Sequence, residues 1–203
     1  MTGLKHQAAA ARKWRSVARQ VQRHFPAHLP PLLFLTDPAR TPDPVSVART
    51  LPVGAGVIYR HFGAADRHSV AGQLADVCSD RGLCFLVAAD SELALATGAD
   101  GVHWPEARLS ESLQHLGKFA LQTASAHSPQ AIRAAYKAGL DAALVSTVFP
   151  SNSPSASPPL GPTRFRCWTK AAPMPTYALG GVNTANAGCV ADFAGIAAIE
   201  GFV

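Results

Sequence analysis

The sequence predicts an α/β fold, a TIM (β/α)8 barrel carrying an extra N-terminal helix and lacking a final helix. Three observations point there. Eight short apolar runs alternate with helical segments, which is the pattern of parallel strands and crossovers. Glycines at the ends of these runs favour closure over an open, doubly wound sheet. The chain has 203 residues, 48% hydrophobic and only 15% charged, enough for one buried core and unlike a disordered chain.

Residues 4–25 read as an amphipathic helix. Leu4, Ala8, Ala11, Trp14, Val17, Ala18 and Val21 fall near helical spacing, with cations on the other side. Pro26, Pro30 and Pro31 end it, dividing the chain into a basic helix, 1–28, and a barrel, 29–203. Strand one is 32–37, continuously apolar as a doubly covered strand should be. A proline-rich loop and a short helix at 45–50 follow. Strand two (56–62) precedes a helix at 66–81, and strand three (83–88) a short helix at 91–97. Strand four (101–104) leads to a helix near 110–116, and strand five (119–125) to one at 128–138. Strand six (142–147) opens into a Ser/Pro loop, 149–162, then a weak helix near 164–170. Strand seven (176–179), a helix at 183–191 and strand eight (195–199) complete the series. Because the sequence stops at Val203, no eighth helix is expected, and the N-terminal helix is expected to compensate by packing on the barrel's exterior.

The net charge is +5, with much of the excess in Lys5, Arg12, Lys13, Arg15, Arg19 and Arg23. A basic helix can meet nucleic acid or a membrane surface, but is more commonly a solvated face. No later stretch interleaves basic and aromatic residues, so neither nucleic acid nor membrane is expected as a partner. Cys78, Cys84, Cys167 and Cys189 lack metal-ligand spacing, which fits a reducing, cytoplasmic setting. No apolar run approaches the roughly 18 residues of a membrane span, and the N-terminus lacks a signal peptide's apolar core.

The candidate site begins at Gly180-Gly181, where an apolar strand runs into two glycines and a helix-like segment. Adjacent glycines let backbone N–H groups approach an anion, and loops after the last two barrel strands are the usual phosphate site. A tight turn with no ligand is the other possibility. His61, His103 and His127 at strand ends invite a three-histidine metal site. Alternation argues against it: with Arg60 and Phe62 facing the axis, His61 points outward. No metal site is assigned, and His103 is expected to do structural work. His6, His24, His28, His68 and His115 look like surface residues. Phe62, Trp104, Phe149 and Trp168 near strand ends suggest either packing or a mouth suited to a flat heteroaromatic ligand.

Six motifs in order carry a resemblance. They are Leu35-Thr36-Asp37, Gly98-Ala99-Asp100-Gly101-Val102-His103, Ser125-Ala126-His127-Ser128, Ala138-Gly139-Leu140-Asp141, Val148-Phe149-Pro150 and Ala178-Leu179-Gly180-Gly181-Val182. Together they resemble the thiamine phosphate synthase / TenI (thiazole tautomerase) family, as a divergent member. The resemblance implies a barrel, an oligomer and a small-molecule thiamine precursor as ligand. Synthases of this family couple an aminopyrimidine diphosphate to a thiazole phosphate with Mg²⁺; TenI-type members tautomerise the thiazole phosphate. Arg60 stands where the family's arginine contacts the diphosphate, a task suited to guanidinium. A family lysine is replaced by Phe62, an Asn-Asp pair by Ala88 and Ala89, and the second Mg²⁺ aspartate by Arg108. A one-residue slip would restore Asp90. In the strand-six loop the hydroxyls Ser151 and Ser153 survive while the cation becomes Pro154. Each lost contact to developing charge costs about 3 kcal/mol, so little synthase activity is expected. Mg²⁺ is therefore implied by the family while its ligands are missing here.

His127 matches the histidine that TenI-type enzymes use for proton transfer, and otherwise would order its loop. Ser125 either bonds a ligand or fills the barrel. At strand eight, where the family has a serine near the phosphate, this chain has Glu200. A carboxylate about 5 Å from a phosphate, at an effective dielectric of 20, costs about 3 kcal/mol per charge pair. The expected catalytic residues are His127 and Arg60; the expected substrate contacts are Ser125, Ser151, Ser153, Gly180, Gly181, Phe62 and Glu200. A non-catalytic thiazole- or thiamine-binding protein is the alternative function.

Overall fold

The computed structural model describes residues 2–154 and 156–202. The side chains of Leu4, Lys5, His6 and Ala8, together with Ser155 of the Ser/Pro loop and Val203, lie outside the described residues. Among the described residues, eight parallel strands close in sequence order: β1 (Leu32–Leu35), β2 (Gly56–Tyr59), β3 (Cys84–Ala88), β4 (Gly101–Trp104), β5 (Leu121–Ala126), β6 (Ala142–Val145), β7 (Thr176–Ala178) and β8 (Gly195–Ala198). Phe34 of β1 lies beside Ala198 of β8, so no sheet edge remains open. The pleat divides the apolar runs between two cores. Leu33, Leu35, Ile58, Leu86, Leu144 and Tyr177 fill the interior, while Phe34, Val57, Val87, Val102, Val145 and Ile196 meet the helical layer.

That layer contains α1 (Thr2–Gln22), α2 (Pro44–Ala48), α3 (Arg67–Arg81), α4 (Ser91–Ala96), α5 (Leu109–Ser112), α6 (Pro129–Lys137) and α7 (Gly161–Ala171). Side chains start several of these: Asp43 accepts from Ser46 N, Asp90 from Leu93 N and Ser128 from Ala131 N, each satisfying a first-turn donor. Helix α1 lies against the barrel as expected. Trp14, Val17, Ala18 and Val21 enter the outer core, and Trp14 Nε1 donates to the Gly201 carbonyl at 3.0 Å. No helix among the described residues is long and apolar enough to cross a membrane.

Two expected helices differ. The segment 183–191 holds a single 3-10 turn, Ala187–Cys189. Its asparagine side chains take the local donors: Asn183 Oδ1 accepts from Ala185 N and Asn186 Oδ1 from Asn183 N, which competes with a helical ladder. The 110–116 helix breaks into α5 flanked by 3-10 turns at Glu106–Arg108 and Leu113–His115. Beneath the barrel, the Tyr177 hydroxyl donates to the Pro30 carbonyl at 2.7 Å and its ring meets Phe25 edge-on. The residues singled out as candidate site lie at the opposite end of the barrel, at the strands' C-terminal ends.

Candidate active site

A cavity of about 490 Å³ opens there, within the range of small-ligand sites. Arg60, Phe62, Ser125, His127, Ser151, Ser153, Gly180, Gly181 and Glu200, singled out across most of the chain's length, all line it. Closure brings them together, because they stand at or beyond the C-terminal ends of five different strands, β2, β5, β6, β7 and β8.

Arg60 is set by its backbone. The buried Thr36 hydroxyl accepts the Arg60 N–H at 2.9 Å, tying strand two's end to strand one's. Burial lowers the Arg60 guanidinium's pKa, and it has no side-chain acceptor among the described residues. Phe62 is 52% exposed at the rim, with the Arg67 guanidinium 5.6 Å from its ring centroid.

His103 faces inward and lines the cavity, and both its ring nitrogens are engaged by barrel hydroxyls, in keeping with the expected structural work. Its Nδ1 pairs with Thr123 Oγ1 at 2.9 Å and its Nε2 with Ser125 Oγ at 3.0 Å. Burial, then the nearby positive charge of Arg60, pushes its pKa down to about 3, so the ring is neutral. Ser125 is thereby fixed through its own hydroxyl. His61 does point away from the axis, its ring 5.0 Å from Tyr59.

At the rim, His127 Nδ1 lies 2.8 Å from Glu106 Oε2, which also accepts the His127 backbone N–H at 3.0 Å. An ionised carboxylate accepts only, so Nδ1 carries a proton, and in the neutral tautomer Nε2 is left as the ring's acceptor. Glu106, in the turn after strand four, was missed by sequence reasoning; its signal was a lone acidic residue following a strand end.

The end of strand three offers methyl groups. Ala88 lines the cavity, and Ala89 sits in the left-handed region with φ of 56°. Asp90 caps α4 and pairs with Arg67 at 3.1 Å, while Arg108 is held by Glu111 and the Ala89 carbonyl. Among the described residues no three His, Cys, Asp or Glu side chains form a metal-holding group.

Opposite lies the glycine loop. A Cβ on Gly180 would come within 2.7 Å of Thr147 Cγ2, and one on Gly181 would collide with the Pro150 carbonyl oxygen. Positive φ at both, 92° and 64°, adds a second reason for glycine. The pair thus serves loop packing as well as lining the cavity. Glu200 has a 60% exposed side chain, 3.9 Å from Arg40 Nη1.

Arg40 also lines the cavity and was likewise missed, its signal being a cation in the turn after strand one, three residues past Asp37. Of the four aromatics expected near the mouth, only Phe62 faces the cavity. Trp104 is 1% exposed on the outside of the strand, donating to Gln122 and stacked on His115 at 5.7 Å. His115 is accordingly half-buried, not a surface residue.

The comparisons agree with this geometry. A family described as thiamine monophosphate synthase matches residues 32–202. Thiamine-phosphate synthase of Chlorobium limicola is 33% identical over 166 residues, 78% of each chain. The Methanospirillum hungatei thiamine-phosphate synthase is 29% identical over 184 residues, covering 85% of this chain and 89% of its own. A solved thiamine phosphate pyrophosphorylase from Pyrococcus furiosus superposes with a TM-score of 0.68 at 25% identity, covering 83% of this chain and 84% of that one. A closed barrel, a cavity at its C-terminal mouth and a match spanning strand one to strand eight make this chain a member of the thiamine phosphate synthase / TenI family.

Proposed function

We propose that this chain is a thiamine-pathway enzyme that binds a thiazole phosphate in the barrel mouth and moves a proton on it. The observation that carries the proposal is the His127–Glu106 pair, 2.8 Å apart at the cavity rim. Neutral His127 takes a proton from a ligand carbon at Nε2. Glu106 steadies the resulting imidazolium, and the proton returns at another ring position. The product is an isomer, so atoms and electrons balance with no co-reactant. Arg60 and the Gly180-Gly181 loop serve the ligand's anionic group, with Ser125, Ser151 and Ser153 as hydroxyl contacts and Phe62 against the ring.

Coupling through a Mg²⁺-bound diphosphate is the less supported reaction. Mg²⁺ needs oxygen ligands, and Ala88 and Ala89 supply no side-chain oxygen. Asp90 is engaged by its helix cap and Arg67, and Arg108 would repel the ion. The residues do not fit the metal.

Proton exchange and isomerisation of a thiazole phosphate, followed by NMR in D₂O, test the proposal. His127→Ala is expected to slow turnover at least about a hundredfold with melting temperature unchanged, and EDTA to have no effect. Wild-type turnover in H127A, or its abolition by EDTA, would reject the proposal. Binding without turnover in the wild type would identify a non-catalytic binding protein instead.

A further inference from the structure

The turn after β1 carries a cation to the cavity. Asp37 organises that turn: Oδ1 accepts the backbone N–H groups of Ala39 and Arg40 at 3.1 and 3.0 Å, and Oδ2 accepts from Arg40 Nη2 at 2.7 Å. The guanidinium of Arg40 is therefore aimed by two backbone bonds and one charge-assisted bond, with its side chain 18% exposed. One edge is spent on Asp37. The other, at Nη1, has Glu200 Oε2 at 3.9 Å, an ion pair too long to be a hydrogen bond. Arg60 lines the same cavity, near enough for the positive charge of Arg40 to act on it.

This arrangement is unbalanced in an informative way. Two guanidinium groups share a confined space, and the carboxylate nearest the free edge is 60% exposed and makes no short contact with it. A largely desolvated cation gains most from an anion that reaches it directly. Glu200 has water as an alternative; a phosphate oxygen entering between strands one and eight displaces it without stranding a buried charge.

We propose that Arg40 is a phosphate-binding residue of this cavity, and that Glu200 is its resident counter-ion, displaced when the phosphorylated ligand enters. The inference rests on reading the cavity as a phosphorylated-ligand site. It makes Glu200 a selectivity element: while in place it opposes anions that cannot engage Arg40, and neutral ligands escape both effects.

Calorimetry with inorganic phosphate, thiazole phosphate and unphosphorylated thiazole tests this at low salt on the full chain. Arg40→Gln is expected to weaken both phosphate-bearing probes about tenfold or more, and Glu200→Gln to tighten them several-fold. Arg40→Lys should recover part of the loss, since it keeps the charge but not the fork. Unphosphorylated thiazole should bind all variants alike, and the E200Q gain should shrink as salt rises. Phosphate affinity unchanged in R40Q, equal losses for phosphorylated and unphosphorylated thiazole, or weaker phosphate binding by E200Q would each overturn the inference. E200Q alters an exposed side chain, so it keeps the test decisive if R40Q folds poorly. Loss of the His127 effect with phosphate discrimination intact would sink the proton-transfer proposal and leave this one standing.

Discussion

His103 shows how far one side chain's surroundings can depart from its neighbours in sequence. The same motif places Val102 and Trp104 against the helices and His103 in the barrel, between Thr123 and Ser125. Its folded pKa of about 3 lies below the unfolded value near 6.5, because burial penalises the imidazolium. Between those values the unfolded chain holds the extra proton, so stability rises with pH. The contribution is complete above pH 6.5 and is lost towards pH 3, at up to about 1.4 kcal/mol per pH unit. His61, also lowered by burial, acts with the same sign. Urea melts of wild type and His103→Gln at pH 7.5 and 5 check this: the mutant should lose less stability across the interval, and equal losses would contradict the assignment.

Helix α1 is held against the barrel by tertiary contacts. Trp14 is 3% exposed, lies 4.4 Å from the Phe202 ring and bonds the Gly201 carbonyl. Trp14→Ala should cost about 3–5 kcal/mol, read as a lower midpoint in denaturant at unchanged slope. A loss under about 1 kcal/mol would mean that the helix is peripheral. The turn at Ala187–Cys189 teaches the opposite lesson. The segment 183–191 is expected from the sequence to be a helix, but Asn183 and Asn186 satisfy the backbone locally.

For the whole molecule, barrel closure and the α1 contacts make one outer core from Trp14 to Ala198. Unfolding is therefore expected as one transition, with tryptophan fluorescence from Trp14, Trp104 and Trp168 and far-UV circular dichroism losing signal at the same denaturant concentration. An early phase confined to helical signal would show that α1 detaches first.

The sequence by itself determined the strand series, the barrel class and the residue types at the mouth, since apolar runs, caps and strand-end glycines act over a few neighbours. Arg60, Ser125, His127 and the Gly180-Gly181 loop were legible as candidates at strand ends, although Trp104, also at a strand end, faces outward. Only the tertiary structure decided their partners. Glu106 meets His127 across 21 residues, and Thr36 fixes Arg60 across 24. Arg40 meets Glu200 because strand eight closes beside strand one. Closure sets which strand ends adjoin and the pleat sets which side chains face in; neither is a property of a local stretch of chain.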